Sequence, residues 1–232
     1  MIRWVPPGPY EVAFSTRAGG VSEGPYDSLN LGRLTGDDVY RVDENRRLLC
    51  AEIGGDPARL ALNRQVHSAT VHRAGAVQRG RPGDGLWTEE PDLPVLAMTA
   101  DCLPLALARV GGGAPAVAVL HAGWRGLLAG IVAEGVRALG GRVAAAIGPA
   151  IGPCCYEVGA EVADPLAAAY GPDVVRGRNL DLWSCAERAL RAAGVEEVER
   201  VDLCTFCNPE LFFSHRRTGK PRGVQGVIAR VA

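Results

Sequence analysis

Residues 116–141, AVAVLHAGWRGLLAGIVAEGVRALGG, determine the predicted fold because they join a strand to a helix through a very short turn. The apolar run 116–120 is short and stops at a polar residue, which is typical of a buried strand. Residues 127–139 place apolar side chains at helical spacing, and a pair of glycines follows them as a stop signal. We therefore predict a strand, a turn over 121–126 and a helix, in that order.

On both sides of this unit, short apolar runs alternate with segments of helical periodicity. This interleaving predicts a fold that mixes α-helices and β-strands. No internal repeat and no linker rich in serine or charge interrupts the sequence, so residues 1–232 are predicted to form a single domain. Three glycines at 111–113 are predicted to turn the chain between strands. The other predicted strands are 11–15, 95–100, 142–147, 198–203 and 224–231, and the other predicted helices are 43–53, 157–170 and 182–193.

Composition and charge exclude several classes of protein and of partner. Apolar residues make up 47% of the chain and charged residues 22%, which are the proportions of a globular protein rather than a disordered one. The 25 basic and 26 acidic residues balance, so we expect neither nucleic acid nor a membrane as partner. The most apolar window, 103–120, contains prolines, an arginine and glycines and cannot be one membrane-spanning helix. The start MIRWVPPGPY lacks the layout of an export signal, and seven cysteines cannot all pair internally, so we expect a cytoplasmic location. We also expect the protein to be a soluble monomer.

Two of the four histidines and one cysteine stand next to predicted apolar strands. His121 follows the strand of the opening segment, Cys102 ends the strand before it, and His67 lies in a short polar context. If these positions converge, two imidazoles and a thiolate form a three-ligand set that suits zinc and leaves a fourth position for water or substrate. Such residues more often pack or face solvent, and no H-E-x-x-H or paired C-x-x-C motif decides between the two interpretations. His72 and His215 are expected at the surface rather than as ligands.

Several uncommon motifs occur in the same order as in one known family. They are FSTRAGGVSEGPYDSLNLG at 14–32, RQVHSATV at 64–71, TADCLPL at 99–105, HAGWRG at 121–126, IGPAIGPCCYEVG at 147–159 and FFSHRRTG at 212–219. Through them the chain resembles the purine nucleoside phosphorylase family formerly called laccase-domain or polyphenol oxidase proteins, which includes the peptidoglycan editing factors. The resemblance implies an α+β fold in which mixed β-sheets are flanked by helices, in a layered α/β/β/α sandwich.

The resemblance also implies a catalytic zinc and a substrate class. In that family the histidine of Q-V-H, the cysteine of A-D-C and the histidine of H-A-G-W-R-G bind the zinc, and they fall here on His67, Cys102 and His121. The implied reaction converts adenosine, inosine or methylthioadenosine with phosphate to a free base and ribose 1-phosphate, and adenosine is also deaminated. Zinc is therefore the expected cofactor, and a small nucleoside and phosphate are the expected partners.

Side chains near these motifs are candidates for catalysis and substrate binding. Arg125 could bind phosphate together with free N–H groups at the helix start, or it is a surface cation. Asp101 could transfer a proton or accept a hydrogen bond from a ligand imidazole, or it only caps the turn. Cys102 is a catalytic candidate as well as a ligand. Arg216 belongs to a basic cluster that could attract phosphate or a nucleotide sugar, although such clusters are usually solvated; its other members are Arg217, Lys220 and Arg222.

The remaining motif cysteines give weaker signals. Cys154 and Cys155 follow the turn IGPAIGP, and Cys155 could bind substrate in a pocket lined with Tyr156, although buried thiols are commonly inert. Cys204 and Cys207 have C-x-x-C spacing, but the sequence has no second C-x-x-C pair. We therefore expect this pair to contribute to packing rather than to chemistry.

Other functions fit the same residues. Cys102 could be the nucleophile of a hydrolase with His67 or His121 as its base, which requires a thiolate free of metal. Copper could bind the same trio with Met98 as a weak ligand, although four histidines are too few for a multicopper cluster. A metal-activated water could cleave an amide in a cell-wall precursor, and a non-catalytic module could bind a nucleoside unchanged. Metal content, colour and the products formed from adenosine distinguish these alternatives.

Overall fold

Two six-stranded β-sheets lie face to face in the computed structural model, which describes residues 1–75 and 79–232. Both sheets contain parallel and antiparallel strand pairs. The strands of the first sheet are, in spatial order, β1 (Ile2–Trp4), β2 (Tyr10–Phe14), β14 (Gln225–Val231), β7 (Val95–Thr99), β3 (Ala61–Arg64) and β5 (Arg79–Pro82). Those of the second sheet are β13 (Glu197–Arg200), β10 (Arg142–Ile147), β8 (Leu103–Gly111), β9 (Val117–Ala122), β6 (Gly85–Thr88) and β4 (Val71–Arg73).

Helices and a small hairpin complete the described part of the chain. The hairpin pairs two short antiparallel strands, β11 (Val175–Arg176) and β12 (Asn179–Leu180). No helix of the described ranges combines the length and the apolar character needed to cross a membrane. The α-helices are α1 (Val39–Glu52), α2 (Trp124–Leu128), α3 (Ile131–Leu139), α4 (Ala160–Tyr170), α5 (Leu182–Ala192) and α6 (His215–Thr218).

Small and branched side chains fill the space between the two sheets. Alternate residues of β8, β9 and β10, among them Ala106, Val119 and Ala144, point into this inner layer. They pack in one cluster with Val12 and Val227 of the first sheet. All five side chains are fully or almost fully buried. The period of two follows from the strand itself, because successive side chains point to opposite faces.

Helices cover the outer face of each sheet. Helices α2 to α5 pack with Leu105 and the other outward residues of the second sheet, and α1 packs Leu49 against Leu96 of the first. Helix α3 comes close to the second sheet because it has a glycine at position 135, where a Cβ atom would lie only 2.8 Å from the Leu120 side chain. The layers are therefore helix, sheet, sheet and helices, which confirms the predicted α/β/β/α sandwich and the mixed α+β class.

Most predicted elements are confirmed, several with different ends. Strand β10 has the predicted bounds, and β9 extends beyond its predicted end to Ala122, so that His121 lies inside the strand rather than in the turn. Helix α1 begins at Val39 instead of residue 43, because the carboxylate of Asp38 accepts a hydrogen bond from the Tyr40 N–H at 2.8 Å and caps the helix. The apolar window 103–120 forms the pair β8 and β9, and the predicted glycine turn joins them.

The prediction of one continuous helix over 127–139 is wrong. The chain forms two helices here, and α2 already begins at Trp124, within the predicted turn. Gly130 separates them with a φ of 87°, a left-handed conformation that glycine adopts without the steric cost of a Cβ atom. The short first helix turns the chain immediately after His121 and Gly123, so the strand end and the helix start border the same space.

Candidate metal centre

His67, Cys102 and His121 converge at one edge of the second sheet. Their ring nitrogens and sulfur all lie within 4.8 Å of one another, and the Cys102 sulfur is 3.9 Å from Nε2 of His67. Nitrogen and sulfur bound to the same tetrahedral zinc would be about 3.6 Å apart. The two imidazole rings are 4.7 Å apart at their centroids and nearly perpendicular. The sequence-predicted trio is therefore brought together as a group that could hold a metal, which we call the three-ligand centre.

The three ligands differ in exposure. His121 is buried, Cys102 is partly buried and His67 is exposed. The centre is therefore enclosed on the sheet side and open to solvent on the side of His67. Two neutral imidazoles and one anionic thiolate are donors that zinc prefers. The open side leaves room for a fourth ligand.

Asp84 positions both histidines. Its side chain is fully buried, and its Oδ1 lies 2.8 Å from Nδ1 of His121. The same carboxylate accepts hydrogen bonds from the backbone N–H groups of Val66, His67 and Ser68 and from the Ser68 hydroxyl, at 2.6–3.2 Å. One carboxylate thus orients one ligand ring and the backbone that carries the other ligand, which is the role that outer carboxylates take at metal centres.

The charge state of Asp84 decides which nitrogen of His121 faces the centre. Burial alone would raise the pKa of Asp84, but the hydrogen bonds from His121 and from the Ser68 backbone and hydroxyl lower it well below its ordinary value. An ionised carboxylate can only accept, so Nδ1 of His121 carries the proton and donates it. A metal that displaces the proton of Nε2 would then find the lone pair of that nitrogen directed at the centre.

Cys102 and His121 favour each other's charged forms. Burial raises the pKa of the Cys102 thiol, but the neighbouring His121 and His67 rings outweigh this effect and lower it. For the same reason the pKa of His121 is raised by Cys102 and Asp84 against the effect of its burial. The centre therefore stabilises a thiolate, which is the form of cysteine that binds metals and also the form that acts as a nucleophile.

Backbone conformation and a missing side chain bring the ligands close. His67 and Asp101, the residue before Cys102, have φ angles of 60° and 90°, in a region that non-glycine residues rarely adopt. A Cβ atom at Gly123 would lie 3.0 Å from the Cys102 sulfur and 3.1 Å from Cδ2 of His67. Strained backbone of this kind concentrates at functional sites. The absence of a side chain at position 123 is what leaves space for the two ligands.

Asp101 does not contact a ligand imidazole. It is buried, and its carboxylate accepts hydrogen bonds at 2.6 Å from the Thr205 hydroxyl and from the backbone N–H of Arg216. The predicted acceptor role toward an imidazole is therefore taken by Asp84 instead. Sequence analysis missed Asp84 because it is 17 residues from His67 and 37 from His121, with no local pattern to connect them.

Three cationic side chains lie near the centre in different settings. Arg125 is exposed, stacks on the Trp124 ring at 4.3 Å and forms no ion pair with the described residues. Helix α2, in which it lies, has only five residues, so the predicted contribution of a long helix start is weak. Arg216 stacks on Tyr156 at 5.2 Å and donates to the Glu157 carbonyl at 2.6 Å. The predicted basic cluster is thus divided among separate contacts.

Arg222 is the cation that sequence analysis undervalued. Its Nε is buried and has no hydrogen-bond partner in the described part of the chain. Burial lowers its pKa, and the negative charges of Asp101 and Cys102 partly oppose that shift, so the guanidinium lies within electrostatic reach of the centre. By contrast, Arg217 donates to the backbone carbonyls of Thr205, Phe206 and Phe212, which is a structural role.

Cys155 belongs to a different group of side chains. Its sulfur is 3.3 Å from that of Cys207, and Cys154 and Cys204 complete a set of four whose sulfurs all lie within 4.8 Å of one another. We call this set the four-cysteine cluster. The expectation that Cys204 and Cys207 only pack is not supported by this grouping; their partners Cys154 and Cys155 are adjacent in sequence and form no second C-x-x-C motif. Tyr156, next to the cluster, has its pKa raised to about 12, chiefly by burial, with the charge of Cys102 adding to it.

The other histidines lie outside both groups. Nε2 of His72 is 2.9 Å from the Pro82 carbonyl oxygen, and His215 is exposed at the start of α6. Met98, the candidate weak ligand for copper, packs beside the core under α1, and its sulfur lies 3.8 Å from an Arg46 nitrogen. The described residues thus add neither imidazole nor thioether to the three-ligand centre.

Comparison with known proteins identifies the family of the chain. A family model described as multi-copper polyphenol oxidoreductase laccase matches residues 11–231. A purine nucleoside phosphorylase of Pseudomonas aeruginosa, PA4543, is 39% identical over 228 residues, covering 94% of this chain and 92% of the relative. The purine nucleoside phosphorylase YfiH of Escherichia coli is 38% identical over 225 residues, covering 93% and 91%.

Solved structures give the same result. The Neisseria meningitidis protein NMB0706 has a TM-score of 0.88 at 31% identity, covering 99% of this chain and 98% of that one. YlmD of Geobacillus stearothermophilus has a TM-score of 0.87 at 33% identity, covering 96% and 92%. These matches confirm the resemblance found in the motifs: the chain belongs to the laccase-like family whose similar curated members are named purine nucleoside phosphorylases.

Proposed function

We propose that the protein is a zinc-dependent purine nucleoside phosphorylase that also deaminates adenosine. The observation that carries the proposal is the three-ligand centre, in which two imidazoles and a thiolate face one point with an open side. The names of the similar relatives support the substrate class, and we extend it to adenosine, inosine and methylthioadenosine. Zinc bound in this way would supply an acidified water or polarise a substrate atom at the open position.

The residues of the chain would prepare this position. Asp84 holds His121 in the tautomer that presents Nε2, and it fixes the loop that carries His67. The neighbouring rings lower the pKa of Cys102 and so favour its thiolate form. The buried Asp101, held by Thr205, is the candidate for proton transfer beside the centre.

Phosphorolysis also requires a place for phosphate. In this reaction a phosphate oxygen forms a bond to C1′ of the ribose, the bond from C1′ to the base breaks, and the base leaves with the electron pair and takes up a proton. Arg125 has no acidic partner among the described residues, and Arg222 has a buried Nε without a partner. Both guanidinium groups are therefore free to bind an anion. The Tyr156 hydroxyl, neutral at pH 7, would be a hydrogen-bond donor near the same space.

A cysteine-dependent or metal-dependent amide hydrolase is the second candidate. The observation that favours it is the thiolate-stabilising contact between Cys102 and the two imidazoles, because the same arrangement without metal activates a nucleophile. A copper oxidoreductase, which the family description names, has less support. The chain has four histidines, and the two outside the centre contact a backbone carbonyl or face solvent.

Purified protein incubated with adenosine, with and without phosphate, tests the proposal. Adenine formed only with phosphate supports phosphorolysis, and inosine supports deamination. Chelation should abolish both activities and added zinc should restore them, whereas a cysteine hydrolase would remain active after chelation. Arg125→Ala should raise the KM for phosphate by about tenfold or more, the value of a lost charged hydrogen bond, while the exposed Arg137→Ala serves as its control. Products that do not depend on phosphate, with full activity in chelator, would contradict the proposal.

A further inference from the structure

Two loops meet through the four-cysteine cluster. Cys154 and Cys155 lie in the turn between β10 and α4, and Cys204 and Cys207 lie in the turn after β13. The Cys207 sulfur is 3.6 Å from that of Cys154 and 3.3 Å from that of Cys155, and no two of the four sulfurs are farther apart than 4.8 Å. Four sulfurs around a single zinc, with bonds of about 2.3 Å in tetrahedral geometry, would be about 3.8 Å apart.

We propose that the four-cysteine cluster binds a second zinc ion, with a structural role. Four thiolates satisfy the whole tetrahedral coordination of zinc, so no position remains for water or substrate. All seven cysteines of the chain have free thiols in this structure, and only these four gather in one place. The proposal is independent of the activity assigned to the three-ligand centre.

One cysteine of the cluster has a contact that favours a thiolate. The backbone N–H of Gly152 donates to the Cys204 sulfur at 3.2 Å, a contact that favours negative charge on sulfur. The Arg217 guanidinium donates to the carbonyls of Thr205 and Phe206, inside the C-x-x-C turn. A zinc with four thiolates carries a net negative charge, and this cation lies where it would offset that charge.

Outside the cysteine contacts, the two described loops are joined by a short backbone pairing and by shared packing in the core. An isolated bridge pairs Ala150 with Cys204, through N–H groups that donate from Ala150 to Leu203 and from Thr205 to Ala150 at 3.3 and 3.0 Å. Long stretches without regular structure are uncommon in compact domains unless they are functional or held by other contacts. An ion that joins two ligands from each loop would hold both loops in place.

The position of the cluster also connects it to the three-ligand centre. Thr205, the residue after Cys204, donates its hydroxyl to Asp101, and the N–H of Ile151 donates to the Asp101 carbonyl at 2.9 Å. Asp101 directly precedes Cys102. A zinc in the cluster would therefore hold both loops that contact Asp101, although it would not itself contact a substrate.

Metal analysis of the full chain tests the proposal. Protein purified with reductant, depleted by chelation and reloaded with zinc alone should bind about two equivalents per chain. Cys154→Ser combined with Cys207→Ser should reduce this to about one, and His67→Ala combined with His121→Ala should also leave about one. Cys185→Ser, a buried cysteine outside both groups, is the matched control and should keep both ions. Unchanged zinc in the double serine variant would overturn the proposal.

Alkylation of the unmodified chain gives an answer even if the variants fold poorly. Cys154 and Cys207 are exposed, so iodoacetamide should modify them readily after chelation and at least about tenfold more slowly in the zinc-loaded protein. Peptide mass spectrometry would identify the modified positions. Denatured, chelated protein should yield seven free thiols. Five thiols with a disulfide inside the cluster, equal alkylation rates, or iron recovered in place of zinc would each reject the assignment.

Discussion

The three-ligand centre and the four-cysteine cluster stand on different scaffolds. In the centre, His121 belongs to β9, Cys102 directly precedes β8, and His67 follows β3 in the first sheet. The cysteines of the cluster lie in turns and an isolated bridge. A strand, and segments next to strands that a buried carboxylate holds, keep ligands in place before an ion binds, whereas we expect the turns of the cluster to depend on the ion for their order. We therefore expect the first ion to determine activity and the second to determine stability.

The two sites also differ in the charge and the number of their ligands. Two neutral imidazoles and one thiolate leave zinc with net positive charge and an open side, which suits the activation of water. Four thiolates would leave zinc with a net negative charge and would fill its tetrahedral coordination. Ligand charge and coordination number therefore distinguish a site suited to a Lewis acid from one suited to a structural ion.

The largest expected effect is on activity. Cys102→Ala removes the thiolate of the three-ligand centre, and we expect kcat/KM for adenosine to fall by about 10³-fold or more, because a bound metal supplies several kcal/mol to the transition state. The melting temperature should change little, since β8, β9 and the contacts of Asp84 already hold the site. Steady-state assays and zinc analysis check this, with Cys50→Ser as the control. Full activity in a zinc-free Cys102→Ala protein would exclude the mechanism.

The second expected effect is on stability. Loss of the cluster ion through Cys154→Ser combined with Cys207→Ser should lower the melting temperature by about 10 °C, which corresponds to roughly 3–4 kcal/mol in a chain of this size. Calorimetry with and without added zinc measures it. Zinc should raise the melting temperature of the variant less than that of the wild type. An equal rise in both proteins would place the stabilising ion elsewhere.

The predictable part of the fold is the part with uninterrupted patterns. Strand β10 was predicted with its observed bounds because it is an apolar run with glycines on both sides. Strand β8 was not predicted, because Pro104 and Arg109 interrupt its apolar pattern. The structure accommodates Arg109 through hydrogen bonds to the Leu139 and Ala114 carbonyls and an ion pair with Glu89. Leu139 and Glu89 belong to distant segments, which local patterns do not contain.

The candidate site also has residues that the sequence predicts and residues that it does not. The trio was predictable because each ligand lies at or near a strand end within a recognisable motif. Asp84 was not, since its importance depends on three backbone N–H groups and one imidazole that only the folded chain brings together. The four-cysteine cluster was missed because its two pairs have different spacings and are separated by about fifty residues. Spacing rules describe ligands on one turn, whereas this cluster is assembled from two.

The third expected effect is on the zinc affinity of the three-ligand centre. Asp84→Asn should weaken zinc binding at the three-ligand centre by about 10- to 100-fold, because it removes the acceptor that orients His121 and the His67 loop. Competition with a chromogenic chelator measures the affinity. Asp92→Asn is a control, since that carboxylate is largely exposed and pairs with Arg230 far along the chain. Unchanged zinc affinity would mean that the strands alone orient the ligands.

The same variant has a pH signature in the metal-free protein. Because the folded pKa of Asp84 is lowered, its contribution to stability is fully present above the unfolded value of about 3.9 and is lost as the pH falls toward the folded value. The stability difference between wild type and Asp84→Asn should therefore be about 1 kcal/mol smaller at pH 3 than at pH 6. Urea unfolding at the two pH values checks this. A difference that grows on acidification would contradict the lowered pKa.

The smallest expected effect comes from one methyl group. Gly123→Ala would place a Cβ atom about as close to the Cys102 sulfur, 3.0 Å, as to the His67 ring, 3.1 Å, and one of the two ligands must move. Overpacking of this kind costs about 1–3 kcal/mol, so zinc affinity at the three-ligand centre should fall by about tenfold while the four-cysteine cluster keeps its ion. Gly111→Ala is the matched control, because its nearest neighbour would be an Arg142 side-chain atom at an ordinary 3.6 Å. Isothermal titration with zinc should resolve two binding steps, of which only one shifts in Gly123→Ala. If both steps shift together, the two sites are coupled through Asp101 and Thr205, and the separation between activity and stability fails.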